Sequence, residues 1–343
     1  MLQVENKTGF VPGLFVFPDA DGVDTAYFAL KATFEVDRAG VRVSAKQAPL
    51  VLAEEYWGEP GASSLKRATE AHLCKPSTDI VVLGSAYAPR GLPATVFDVS
   101  VSVGDISKRL RIFGDRVWVR SRDGRGVVPS APQPVDKVPL VYEKAFGGLH
   151  KVDESTTLYE ARNPVGVGFA GKRSAGELAG LPLPNIEDPS ELFQKPGQTP
   201  RPVGLGFVAP SWQPRLAFAG TYDAEWQKRR APYLPKDFNP KYFQAAHEDL
   251  VAASPLRGGE PVELLGLSPS GLLRFAVPRV EFDVEARLAG QPRQIEMKME
   301  TLVVEPDENR LTLFWRGNLP CDKQALQMER VRFQVRRLEG VVS

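Results

Sequence analysis

Alternating apolar and polar residues dominate the first third of the chain. Segment 96–103 places Val and Phe on one face and Asp and Ser on the other, and a Gly-Asp turn leads from it into 108–113. Period-two alternation of this length is typical of half-buried antiparallel strands. Segment 26–36 is rich in aromatic and β-branched residues, a turn separates it from 41–43, and 80–84 is a short apolar run. Each of these three is also predicted to be a strand.

The chain returns to this pattern from Pro261 onward. The predicted strands there are 262–267, 272–277, 280–288, 295–300 and 311–316. Near the end, Val331, Phe333 and Val335 alternate with Arg and Gln within 330–337. We interpret this stretch as a strand whose charged outer face is solvated and blunts a sheet edge, with binding of an acidic partner as the alternative.

Proline and glycine set the middle of the chain apart. Residues 121–214 contain 13 Pro and 12 Gly, a density that prevents long helices and central strands. Large apolar side chains persist there, which favours an irregular but packed segment over a disordered one. Residues 223–230 run from acidic to basic, the order that the helix dipole favours, and predict a short helix; 240–248 is a candidate for a second.

These patterns together predict a mainly β fold. We expect antiparallel sheets in a two-layer or β-sandwich-like core, a long Pro/Gly-rich irregular segment and one or two short helices. Residues 1–343 are expected to form a single domain, with a β-rich part at 1–120, an irregular part at 121–260 and a second β-rich part at 261–343.

Composition changes this picture mainly by exclusion. The 343 residues carry 43 Lys and Arg against 42 Asp and Glu, and 43% of them are hydrophobic. This balance argues against a disordered chain and against a dedicated nucleic-acid binder. The sequence contains neither a signal-peptide pattern nor an 18-residue apolar run, so we expect a cytoplasmic protein without a membrane partner. Cys74 and Cys321 do not make a disulfide framework and are expected to be free, partly buried thiols.

Candidate chemistry is sparse in the sequence. Residues 166–171 read Gly-Val-Gly-Phe-Ala-Gly, a literal G-x-G-x-x-G followed by Lys172. A phosphate-binding loop needs a strand before it and a helix after it, whereas Pro164 and the Gly-punctuated residues 174–180 fit neither, so we interpret the motif as a structural loop. The histidines are isolated and nucleophile motifs are absent from the sequence. We predict no catalytic, cofactor-binding or metal-binding residues, no cofactor and no enzymatic activity, with carboxylate pairs as the open alternative.

A series of short motifs resembles a bacterial family over nearly the whole chain, from about Phe10 to beyond Trp315. In order, these motifs are K-A-T-F at 31–34, W-G-E-P at 57–60, S-S-L at 63–65, K-P-S-T-D-I-V at 75–81, G-D-R-V-W at 114–118, Y-E-K-A-F-G-G at 142–148, N-P-V-G-V-G at 163–168, L-P-N-I-E at 183–187, G-T-Y-D at 220–223, L-P-K-D-F at 234–238 and G-G-E at 258–260. The family was first catalogued as a domain of unknown function, and its members resemble adaptors or chaperones of type VI secretion. Under this resemblance the 166–171 loop belongs to the family's N-P-V-G-x-G signature.

The resemblance implies a cytoplasmic, non-catalytic adaptor that binds a toxin effector and helps to load it onto the VgrG spike or its PAAR tip. An enzyme with a site in the Pro/Gly-rich cleft and an exported spike-associated component are the alternatives. We expect the partner to bind within 148–250, because interfaces rely on aromatic and Arg anchors. The candidate residues are Phe207, Trp212, Tyr222, Trp226, Arg229, Arg230, Tyr233 and Phe238. The alternative role of these aromatics is to fix the irregular segment onto the core.

Overall fold

The strands of the computed structural model, which describes residues 2–342, form three larger sheets and several short ladders. The large sheet contains, in spatial order, Val11–Pro18, Asp24–Asp37, Arg310–Pro320, Lys298–Glu305 and Asp79–Val82, with Gly40–Val43 also paired to Asp24–Asp37. A five-stranded sheet orders Ile186–Glu187, Ile106–Phe113, Val96–Val103, Pro261–Leu265 and Leu272–Ala276. A four-stranded sheet orders Gln3–Lys7, Met328–Glu339, Arg279–Leu288 and Gln291–Gln294. Most pairings are antiparallel, so the predicted mainly β fold class is confirmed.

Short elements make up the rest of the described chain. Paired strands of two or three residues are Glu55–Tyr56 with Leu65–Arg67, Ser85–Tyr87 with Lys137–Pro139, Trp118–Arg120 with Val127–Pro129, Phe146–Gly147 with Val167–Gly168, and Leu149–Lys151 with Thr157–Tyr159. The α-helices are Ala175–Leu178 and Ala224–Arg229, and the 3-10 turns are Pro89–Gly91, Tyr142–Lys144, Arg215–Phe218, Pro240–Phe243, Glu248–Leu250, Pro306–Glu308 and Asp322–Gln327. The helix at Ala224–Arg229 matches the prediction for 223–230, and Asp223 caps it by accepting a hydrogen bond from the Trp226 amide.

Strand Asp24–Asp37 lies at the centre of the core. Its residues from 25 to 34 are all buried, so other layers cover the large sheet on both faces. The four-stranded sheet packs against one face: Phe10 contacts Phe34 and Phe282, and Phe282 meets Trp315 edge-on with a centroid separation of 5.0 Å. Residues of all three larger sheets contribute to one hydrophobic cluster, which gives the layered arrangement of sheets that the sequence predicts.

The Arg-rich strand near the end of the chain is not an edge. Met328–Glu339 pairs with Gln3–Lys7 on one side and with Arg279–Leu288 on the other, so the interpretation of 330–337 as an edge strand was wrong. The predicted alternation does hold, because Val331 and Phe333 are buried while Arg330 pairs with Glu5 and Arg332 lies near Asp283. Acidic residues on the neighbouring strands thus partner the outward-facing arginines.

Two other elements differ from the prediction for identifiable reasons. The strand predicted at 295–300 spans Lys298–Glu305 instead, and a bulge at Glu300 turns that carboxylate towards Arg316, 2.9 Å away. The segment 240–248 contains one 3-10 turn, Pro240–Phe243, and only the first residue of the next, Glu248–Leu250, because Gln244 after the first turn is extended and the Ala245 amide donates to Asp79.

The Pro/Gly-rich part packs on the sheets through its own apolar side chains. A second, smaller hydrophobic cluster gathers Trp118, Val127, Phe146, Leu178, Leu183 and Phe193. Further along the chain, Val203, Leu205 and Phe207 join the main cluster. Across residues 2–342, no helix combines the length and the apolar character needed to cross a membrane.

Candidate functional site

A pocket of about 740 Å³ opens within the irregular part of the chain. This volume falls within the range of known ligand sites. The lining comes from Tyr142, Arg162 and two longer stretches of the irregular part, 201–218 and 241–253, together with the loop before strand Asp79–Val82. Its residues include Pro76, Ser77, Tyr142, Arg162, Arg201, Pro202, Val208, Arg215, Phe218, Lys241, Gln244, His247, Glu248, Val251, Ala252 and Ala253.

Hydrogen bonds to backbone atoms hold the pocket wall in place. The Ala245 carbonyl accepts from the Val208 amide, and the Ala245 amide donates to the buried Asp79 carboxylate, which fixes this segment of the wall in place. The Arg215 guanidinium donates through Nε to the Tyr242 carbonyl and through Nη1 to the Val208 carbonyl, both at 2.7 Å. One arginine thereby joins two neighbouring segments of the wall.

The charges of the pocket are unevenly compensated. Arg162 makes a two-pronged contact with Glu160, and Arg201 pairs with Glu248 and Asp249. Arg215 is 6% exposed and has no carboxylate within ion-pair distance among residues 2–342. Burial accordingly lowers the pKa of the Arg215 guanidinium. Lys241, at the rim, likewise forms no ion pair within the described part of the chain.

Two polar groups beside the pocket lack hydrogen-bond partners. The Tyr142 hydroxyl is buried without one, and burial raises the pKa of that phenol. The Gln244 amide nitrogen is also without a partner. Both atoms are sealed from solvent, so a ligand in the open pocket does not reach them in this conformation, and buried water is the usual partner of such groups.

His247 lines the pocket but its ring nitrogens are engaged. Nδ1 accepts from the Asp249 amide and Nε2 faces the Pro202 carbonyl, each at 3.3 Å, which assigns the neutral ring with its proton on Nε2. Burial, followed by the Lys108 charge, lowers the pKa of His247 to about 4. This histidine therefore serves the wall as a neutral hydrogen-bonding group and offers no free nitrogen for proton transfer.

The structure separates the predicted partner-binding residues into two groups. Phe207 and Trp212 are each 5% exposed and belong to the core, where Trp212 meets Tyr142 edge-on. They have no surface to offer to a partner in this conformation. The other six lie in residues 219–239, here called the arm, whose ends meet where the Asn239 amide donates to the Phe218 carbonyl. These six are Tyr222, Trp226, Arg229, Arg230, Tyr233 and Phe238.

Internal contacts give the arm a defined shape. Asp237 accepts two hydrogen bonds from Thr221, and the Trp226 indole nitrogen donates to the Tyr233 carbonyl. Tyr222 meets Trp226 edge-on, yet Tyr222 remains 54% exposed and Tyr233 41% exposed. Phe218 and Lys241, which flank the arm in the chain, line the pocket, whereas the middle of the arm packs on the turn after strand Val11–Pro18, where Arg230 donates to the Ala20 carbonyl.

The glycine-rich loop at 166–171 packs closely against backbone. A Cβ at position 166 would lie 2.6 Å from the Ala145 carbonyl oxygen, and the neighbouring Asn163 amide donates to the carbonyls of Tyr142 and Phe146. Strand Val167–Gly168 before Lys172 has two residues, and helix Ala175–Leu178 after it has four. Within residues 2–342, no three His, Cys, Asp or Glu side chains group together as metal ligands would.

Sequence reasoning missed the residues that define the pocket. In the sequence, Arg215 is one of several basic residues interspersed among aromatic ones, and Gln244 and His247 belong to no motif. Tyr142 lies in the Y-E-K-A-F-G-G motif, which is the one feature that could have drawn attention to it. These residues come from distant parts of the chain, so only the fold brings them together.

Comparison with known proteins places the chain in a family. No curated protein and no solved structure matches it. A family model described as "Uncharacterized protein conserved in bacteria (DUF2169)" matches residues 21–316, which is most of the chain and includes the pocket and the arm. The protein therefore belongs to the bacterial DUF2169 family.

Proposed function

We propose that this protein is an adaptor that binds a toxin effector of type VI secretion and helps to load it onto the VgrG spike or its PAAR tip. The motif series, which runs in family order through nearly the whole chain, is the sequence basis for the proposal. The structural observation that supports it is the arm: an ordered excursion with exposed Tyr222 and Tyr233 that leaves the rim of a large pocket. Interface energy concentrates in such aromatic anchors.

The arm suits a binding role for a further physical reason. Its contacts Asp237–Thr221 and Trp226–Tyr233 hold the chain in shape, so little conformational entropy is lost when a partner binds. The outer β faces offer less, since their arginines are engaged with acidic neighbours such as Asp98 and Glu281. Charged faces of this kind are poor interface cores.

The two alternatives make different demands on the same region. An enzyme would need a group in the pocket that is free to transfer protons or attack a substrate, and His247, with both nitrogens engaged, is not suited to this. An exported spike component would leave the cell with the apparatus. Its presence in culture supernatant, dependent on a working secretion system, would favour that alternative over an adaptor retained in the cytoplasm.

The experiment is co-purification with neighbouring gene products. The tagged protein is expressed with the adjacent toxin and spike genes, and bound proteins are identified by mass spectrometry. We expect the effector to be enriched over its level with an unrelated β protein of similar charge. The paired change Tyr222→Ala with Tyr233→Ala should reduce recovery at least tenfold, corresponding to about 1.4 kcal/mol or more.

A matched control separates binding from folding. Leu326 is 100% exposed and lies outside the irregular part, so Leu326→Ala removes exposed apolar surface elsewhere and should leave recovery unchanged. The melting temperatures of both variants should match that of the wild type. Hydrogen exchange with the effector bound should show protection within 148–250. Protection confined to 95–120 or 280–337, or full recovery by the arm variant, would contradict the proposed face.

A further inference from the structure

The guanidinium of Arg215 is a nearly buried charge without a counter-charge. Its Nε and Nη1 are used by backbone carbonyls, whereas Nη2 makes no hydrogen bond to residues 2–342 and is not among the atoms sealed from solvent. The largest acidic influence on Arg215 comes from Asp79, which is already paired with Lys75 at 2.7 Å, and a smaller one comes from Glu54. Burying a charge is costly unless it is paired, so a wall that keeps this arginine is suited to an incoming anion.

The surroundings of Arg215 restrict the kind of anion. Arg162 and Arg201 also line the pocket, but Glu160, Glu248 and Asp249 compensate them. What remains is one buried cation and, at the rim, the unpaired Lys241. A single negative charge matches one guanidinium with a free nitrogen, whereas a polyphosphate or nucleic-acid backbone would need several uncompensated cations.

The remaining lining is largely apolar. Val208, Phe218, Val251 and Ala252 contribute side chains, together with prolines. Arg215 Nη2 is a hydrogen-bond donor in this wall that remains both unpaired and accessible. A ligand that combines an apolar body with one acceptor-rich anionic group complements such a lining.

We infer that this pocket binds a carboxylate carried on an apolar protein segment, with the carboxylate at Arg215. The segment belongs to the partner, and in this respect the inference rests on the proposed adaptor function. Volume supports a segment over a lone side chain, because about 740 Å³ is space for a drug-sized ligand or several residues. The residues that flank the arm, Phe218 and Lys241, belong to the lining of the same pocket.

The test uses the isolated protein and a library of terminally blocked octapeptides. We expect selection to enrich peptides with Asp or Glu at one position among apolar residues. Selected peptides are then resynthesised with Asn or Gln at that position, and we expect their affinity, measured by fluorescence anisotropy, to fall at least tenfold. Succinate and citrate are titrated in parallel as free carboxylates.

Variants at the exposed rim residue Ala253 keep the test independent of folding. Ala253→Glu adds a carboxylate that competes for Arg215 and Lys241, while Ala253→Gln adds the same bulk without charge. The acidic peptides should bind the Glu variant at least tenfold more weakly than the Gln variant. Arg215→Lys keeps the charge but not both backbone hydrogen bonds, so it should weaken peptide binding. Arg215→Gln loses the charge and should weaken peptide binding further.

Several results would overturn the inference. The first is that the selected peptides show no preferred acidic position, and the second is that the acid and amide peptides bind equally well. The third is that the two Ala253 variants bind the acidic peptides equally well. The fourth is that no peptide is selected while succinate or citrate binds tightly and in a way that depends on Arg215. The last would assign the pocket to a small carboxylate. None of these results involves an effector, so recovery of the effector in the co-purification can succeed or fail separately and decides the adaptor function alone.

Discussion

Lys75 and Asp79 form an ion pair of 2.7 Å in which neither side chain is more than 3% exposed. The Lys75 ammonium also donates to the Thr301 hydroxyl, and the Asp79 carboxylate accepts the Ala245 amide. The pair thus connects the large sheet to the wall of the pocket. It lies within the K-P-S-T-D-I-V motif, so this motif has a structural role whatever its role in recognition.

Asp79→Asn should destabilise the protein strongly. The change leaves the Lys75 charge buried without its partner, and breaking a buried pair in this way costs about 3–5 kcal/mol. Asp98→Asn is the control, because the Asp98–Arg111 pair is about one-third exposed and such surface pairs contribute less than about 1 kcal/mol. Urea unfolding measures both free energies. Similar values for the two variants would contradict the importance given to the buried pair.

Gly166→Ala should destabilise the fold, whereas Lys172→Ala in the same glycine-rich region should not. A Cβ at 166 would lie 2.6 Å from the Ala145 carbonyl oxygen, and such overpacking costs about 1–3 kcal/mol. The Lys172 side chain is exposed, so its loss should change stability by less than about 0.5 kcal/mol. Thermal unfolding provides the comparison. Micromolar binding of an ATP analogue that Lys172→Ala abolishes would refute the interpretation of the loop as structural.

His247 should make stability fall in mild acid. Because burial lowers its folded-state pKa to about 4, the unfolded chain binds the proton first as the pH drops below the ordinary value of 6.5. The contribution of His247 to the free energy of unfolding, about 3 kcal/mol, is therefore fully present above pH 6.5 and is lost as the pH falls from 6.5 to about 4. His247→Gln should remove this part of the pH dependence. An identical slope in both proteins between pH 4.5 and 6.5 would show that His247 does not titrate as described.

Cys74 should resist alkylation in the native protein. Burial, with the Glu300 charge as the second cause, raises the pKa of this thiol to about 12. The reactive thiolate is then roughly a thousandfold rarer than for an ordinary cysteine, so iodoacetamide labelling at pH 8 should take days rather than minutes. Cys74 and Cys321 are both free, as predicted, and guanidinium should expose them equally. Complete labelling of native Cys74 within an hour would contradict the raised pKa of this thiol.

Local patterns in the sequence predict where the strands lie in the chain, but they do not predict which strands pair with one another in a sheet. Alternation places Val331 and Phe333 on the buried face correctly, but it says nothing about which strand pairs with Met328–Glu339. The interpretation of 330–337 as an edge strand was wrong for this reason. Likewise, the bulge at Glu300 depends on Arg316, a partner on another strand, and no periodicity within one strand reveals it.

The candidate site was less accessible to sequence reasoning than the fold. The region 148–250 remains a prediction for the partner face, and within it the sequence could not distinguish core aromatics from surface ones. Phe207 and Tyr222 are both aromatic residues of this region, yet one is 5% and the other 54% exposed. Arg215 is notable because it is buried and no acidic side chain lies within ion-pair distance of it among residues 2–342, and the sequence around it does not reveal either fact.

The pairing of Asp24–Asp37 with Arg310–Pro320 has a consequence for synthesis on the ribosome. Thr25 lies opposite Pro320, so a strand made among the first residues waits for one made nearly 300 residues later. Its other edge pairs with the neighbouring strands Val11–Pro18 and Gly40–Val43, but until then the nascent chain carries an apolar strand with one unpaired edge, the kind of segment that aggregates or recruits general chaperones. Chains halted before residue 310 should be insoluble or bound to such chaperones, while release of the full length should free them. The rate of translation through the last strands therefore determines how long this edge of Asp24–Asp37 stays exposed to aggregation.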